Sequence, residues 1–164
     1  MTGPVRVILP GLCGVGGLTF QADGFRLLFL AAAVFMWCAS GTFSLEYMAH
    51  YEKRKRYQVF FWITLPAVAG VFLSADFYTA FVFFEIMSLT SYVWVAFDET
   101  PESLRAAETY LAVAVIGGLV MLMGLFLLKD LCGTLDFAQA SAVAQEILAQ
   151  GSGAEKRRLY EAGL

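Results

Sequence analysis

Apolar residues along the chain fall into four long runs separated by short polar breaks: residues 24–48, 58–75, 77–97 and 105–128. A helix crossing the hydrocarbon core needs about 20 mostly apolar residues at about 1.5 Å of rise each, so each run predicts a transmembrane helix. The second run is the shortest and contains Pro66. Neighbouring helices can satisfy the carbonyl that a proline frees, so the expectation there is a bend, not a stop. The breaks are "AHYEKRKRYQ", "SAD" and "DETPESLR", the last carrying Pro101 and Ser103 as helix-start signals. Connections this short force neighbouring helices to run antiparallel. The fold class predicted is therefore an all-α membrane protein with about four antiparallel spans, residues 23–128 forming one transmembrane unit.

The two ends read differently. Residues 1–22 are broken by glycine and proline and predict one or two short extended segments at the membrane surface. Residues 129–164 predict an extramembrane loop in which "AQASAVAQEILAQ" forms a modestly amphipathic helix ended by Gly151–Gly153, followed by the start of a further helix. The "KRKR" cluster, Lys53–Arg56, favours the cytoplasmic side for the first loop. Lys129, Lys156, Arg157 and Arg158 pull the other way from the opposite side, but less densely.

Composition narrows the function classes. Of 164 residues, 59% are hydrophobic and only 15% charged, against roughly 25% charged in soluble domains. A net charge of −3 gives no nucleic-acid signature. Three widely spaced cysteines, Cys13, Cys38 and Cys132, with the single histidine His50 form no metal-ligand pattern. "GLCGVGGL" does not match a phosphate-binding fingerprint, and no cofactor is predicted.

Against this background Glu85, in "FVFFEIMSLTSY", stands out. It lies eight residues into the third run, about 12 Å from its start and near the bilayer midplane. A charged side chain at that depth costs about 2.5–3.5 kcal/mol on insertion scales. The group must therefore hold a proton or sit beside a cation, and it exchanges one state for the other when its surroundings change. Ser88 and Tyr92 follow at i+3 and i+7 on the same helix face, with Ser91 close to it. Such a polar stripe belongs against other helices or water, which marks Glu85, Ser88 and Tyr92 as candidate ion-path residues. The competing reading is interhelical glue. Glu108, near the start of the fourth run, suits a helix N-terminus or, secondarily, an ion ligand. Arg26 and Glu46 lie near the ends of the first run and can reach the interface. No lysine or arginine lies deep in any run, so a cationic partner for Glu85 must come from elsewhere. Ala114 and Gly118 form a small-xxx-small pair, and Gly117 and Gly124 lie a heptad apart, material for close packing or for a thin wall beside a hydrated cavity.

"FSLEYM", "FLSADFYTAFVFFEIMSLTSYVWVAFDE" and "SLRAAETYLAVAVIGGLVMLMG" together resemble the antiporter-like subunits of respiratory complex I, Mrp-type cation/proton antiporters and energy-converting membrane-bound hydrogenases. The resemblance covers roughly residues 18–128. It implies a larger bundle of about fourteen helices built on two inverted repeats, in which the four runs match the third to sixth helices. It further implies that Glu85 matches a glutamate that pairs with a lysine on the seventh helix to gate proton movement. Where the family often carries a lysine, this chain has Glu108 and Thr109. The implied role is a fragment or split part of a proton- or sodium-translocating subunit in the cell membrane. Its partners would be lipid and other membrane subunits, with a lysine-bearing helix supplied by the remainder or by another chain, and electron chemistry would be left to those subunits. The alternatives are a structural membrane anchor and a small homo-oligomeric transporter.

Overall fold

The computed structural model describes residues 4–10, 17–51 and 53–161, with side chains through residue 149. A two-stranded antiparallel hairpin, β1 (Val5–Leu9) and β2 (Leu18–Ala22), precedes α1 (Gly24–Tyr47), α2 (Arg54–Leu73), α3 (Phe77–Val95), α4 (Pro101–Cys132) and α5 (Phe137–Glu161). The first four helices are long and apolar enough to cross a membrane. Most of their large apolar side chains, such as Phe35, Trp62, Val120 and Leu127, point outward, as a bilayer-facing surface requires.

Several boundaries shift from those the hydrophobic pattern predicts. The second helix begins at Arg54 instead of residue 58, so most of the basic cluster forms its first turn. Long basic side chains can leave their stems along an apolar helix while the charges reach the interface. Helix α2 then runs unbroken through Pro66, whose side chain is exposed. Helix α4 gains a turn at each end. Thr100 caps it, accepting from the Ser103 N–H at 3.1 Å, with Pro101 in the first turn. Gly133, at φ +71°, closes it by donating to the Lys129 carbonyl at 2.8 Å. At 32 residues it is about 48 Å long, more than the hydrocarbon core requires. Helix α5 does not end at Gly151–Gly153 but continues to Glu161. The glycines there cost about 1 kcal/mol each relative to alanine. The helix formers that follow, Ala154 to Leu159, carry the helix on.

The helices pack in chain order, α2 against α3 most extensively, then α3 against α4 and α1 against α2. The α2–α3 seam is built from Phe61, Thr64, Ala67 and Gly70, buried at three-residue spacing. Thr64 and Thr90 hydrogen-bond across it at 3.0 Å, and Gly70 presents bare backbone to the Phe83 ring. Near the α1–α2 connection, Trp37, Tyr57, Phe61 and Trp94 form a ring cluster that joins α1, α2 and α3.

Polar ties hold both ends. On the basic-cluster side, Glu99 stands in the left-handed region at φ 52° and pairs with both Lys53 and Arg56. Those bonds hold its carboxyl below the usual glutamate range. On the opposite side, three aspartates cap three helices: Asp23 for α1, Asp76 for α3 and Asp136 for α5. The "SAD" turn lies between β2 and the start of α5, bridging Phe20 to Ser74 and Asp76 to Asp136. Asp76 also accepts from both the N–H and the hydroxyl of Thr79, each at 2.7 Å, and from the Thr19 hydroxyl. Asp136 pairs with Arg6 at 2.5 Å. Burial opposes its ionisation, but Arg6 and the N–H groups of Gln139 and Ala138 outweigh burial and hold it below the ordinary aspartate range.

Candidate functional site

Asp76 sets where α3 starts, and the helical repeat does the rest. Glu85, eight residues on, stands about 12 Å along a 19-residue helix, close to its middle. There the side chain turns toward α4. The α4 face that meets α3 carries Ala107, fully buried, then Tyr110, Ala114, Gly118 and Leu125 at spacings of three, four and seven. Glu85 meets this face at its one residue without a side chain. A Cβ placed on Gly118 would lie 2.6 Å from Oε1, 2.7 Å from Oε2 and 2.8 Å from Cδ of Glu85. The carboxyl is thus seated on the α4 backbone, half-buried between two helices. Among the described residues no side chain forms an ion pair or a hydrogen bond with it.

The rest of the predicted stripe divides. Ser88 lies one turn on, half-buried, and its carbonyl accepts from the Tyr110 hydroxyl at 3.2 Å, tying α4 to α3 next to Glu85. Ser91 donates back to the Met87 carbonyl of its own helix at 2.8 Å, so its hydroxyl is engaged within α3. Tyr92 lines a cleft of about 470 Å³ near the α3–α4 connection, together with Arg56, Phe60, Val93, Ala96, Glu99 and Leu104. The polar stripe therefore runs from the middle of the span to a charged cleft at one end. Glu108 is exposed on α4 and does not join the group around Glu85. Gly117 and Gly124 also face open space, with no heavy atom near a Cβ built on either; of the α4 glycines noted for close packing, only Gly118 meets α3.

Cys38 is exposed on α1 and Cys132 half-buried at the end of α4, while Cys13 lies outside the described residues. Sequence reasoning did not single out Tyr110, the Glu99 pairing or the role of Gly118 opposite Glu85. Four-residue spacing through positions 110, 114 and 118 was the available signal for the first and last. Nothing local marks Glu99, because its partners lie across a loop pairing 43 residues away in the case of Arg56.

Residues 74–156 match the family described as NADH:quinone oxidoreductase/Mrp antiporter, transmembrane part. Over 135 residues the chain is 30% identical to proteins of Staphylococcus aureus strains JH9 and Newman that carry the name antiporter subunit mnhD2. The match takes in 82% of this chain and 27% of theirs, so the chain spans about a quarter of the length of these curated relatives. In fold it is similar to a chain of the membrane-bound sulfane sulfur reductase, an archaeal respiratory membrane complex. The TM-score is 0.70 at 24% identity, over 88% of this chain and 29% of that one.

Proposed function

Because the chain belongs to the NADH:quinone oxidoreductase/Mrp antiporter family of membrane proteins, we propose that it forms part of an ion-translocating assembly in which Glu85 carries a proton or meets a sodium ion at mid-membrane. One observation supports this above all others. A half-buried carboxyl lies between α3 and α4 in the middle of the span, with no ion pair or hydrogen bond formed to it among the described residues. A carboxylate so placed costs about 2.5–3.5 kcal/mol unless a proton or an opposite charge accompanies it. Its state therefore follows what the rest of the assembly brings to it. A lysine on another helix would hold the charged form as it approaches and favour the protonated form as it withdraws. Ser88 and Tyr92 continue from Glu85 toward the cleft beside Arg56 and Glu99, the direction in which a proton would enter or leave. The basic cluster Lys53–Arg56 favours the cytoplasmic side for that cleft. A purely structural role for Glu85 calls for a hydrogen bond to a neighbouring helix, and none is formed among the described residues.

The test replaces Glu85 by glutamine in the assembled complex and follows ion gradients in inverted membrane vesicles. Glutamine keeps the size and hydrogen-bonding capacity but cannot exchange a proton. Transport should fall by about tenfold or more with assembly intact. Wild-type transport would refute the ion-path role, and poor assembly with unchanged transport per complex would assign Glu85 to structure.

A further inference from the structure

We propose that Gly118 is the positioning residue for Glu85: its bare backbone is the seat that holds the carboxyl between α3 and α4. The inference rests on Glu85 being the ion-path acid and adds the residue that determines where its carboxyl stands. Both oxygens and the carboxyl carbon lie within 2.8 Å of the place a Cβ would take, closer than real Cβ contacts come. An alanine at Gly118 therefore evicts the whole head group, not one oxygen. What it displaces is the tip of a flexible side chain, not backbone, so the helices keep their packing and only the carboxyl moves. The neighbouring glycines supply the contrast. Gly117 and Gly124 have no heavy atom within 4 Å of a built Cβ, so an alanine there changes helix propensity and nothing else in the described structure. Glycine at Gly118 is thus tied to one particular side chain on the facing helix, not to a general need for close approach along α4.

A displaced carboxyl turns toward lipid or toward other helices, and its access to a lipid-soluble reagent changes with the surroundings. That is measurable without transport. Dicyclohexylcarbodiimide modifies carboxyls in apolar surroundings, and mass spectrometry of the Glu85 peptide from the assembled complex gives the rate of labelling at fixed pH. Gly117→Ala should label as the wild type does. Gly118→Ala should change the labelling rate about twofold or more, and transport should drop about fivefold or more as the acid leaves its geometry. Glu85→Asp shortens the side chain by one methylene and makes room for the added methyl. In that background Gly118→Ala should change transport by less than about twofold, the non-additivity expected of a direct contact. Equal labelling rates for Gly118→Ala and Gly117→Ala would overturn the proposal, as would a Gly118→Ala effect of the same size in both backgrounds. Should Gly118→Ala fail to assemble, rescue of assembly by Glu85→Asp supports the seat and failure to rescue overturns it. If Glu85→Gln transports normally while Gly118→Ala still shifts the labelling, the seat stands and the ion-path role falls.

Discussion

Removing the carboxyl of Asp76 should destabilise the protein more than any ordinary helix-cap substitution. Its two oxygens accept from the Thr79 N–H and hydroxyl at 2.7 Å each and from the Thr19 hydroxyl, so one side chain caps α3 and anchors β2 to it. In Asp76→Ala the lost cap alone costs about 1 kcal/mol. Thr79 is fully buried, and its hydroxyl proton loses its acceptor, adding about 1–3 kcal/mol. Thr19 is only half-buried and can turn toward water, so its share is small. The sum is about 2–4 kcal/mol. Asp76→Asn keeps an oxygen for the Thr79 N–H but aims an N–H₂ group at the hydroxyls, and should lose about half as much. Titrating the detergent-solubilised protein with SDS, with tryptophan fluorescence as the signal, measures both. An Asp76→Ala cost under about 0.5 kcal/mol, or an Asn variant as damaged as the Ala variant, would refute the assignment of the buried hydroxyl as the main loss. The same substitution bears on function, because the start of α3 sets the register that brings Glu85 opposite Gly118.

Two further outcomes follow from the packing and the end ties. Gly70→Leu drives a side chain into the Phe83 ring and should cost about 1–3 kcal/mol, visible as reduced yield of assembled protein; Phe83→Ala in the same background should restore much of it. The Glu99 pairing should be pH-dependent with a definite sign. Its hydrogen bonds to Lys53 and Arg56 lower the folded-state pKa. The stabilisation is therefore fully present above the ordinary glutamate value of 4.5 and is lost as pH falls through the lower folded value. Thermal stability measured from neutral to acidic pH should show wild type above Glu99→Gln near neutrality, with the gap closing on acidification. A constant gap would mean that the ion pairs contribute nothing.

Residue order alone determined the membrane character, the number of spans and their antiparallel run, because a bilayer penalises any long apolar stretch left in water and any unpaired backbone left in lipid. It also singled out Glu85, since an acid amid phenylalanines is anomalous whatever the fold. Tertiary structure decided what that acid touches. Whether Gly117, Gly118 or Gly124 faced α3 depended on how α4 rolls against its neighbour, and hydropathy carries little of that information when every face is apolar. The joining of β2, the "SAD" turn and Asp136 at one end, and the grip of Lys53 and Arg56 on Glu99 at the other were likewise decided between segments far apart in the chain. Each depends on polar groups finding partners across space, and such pairings leave no period in a sequence.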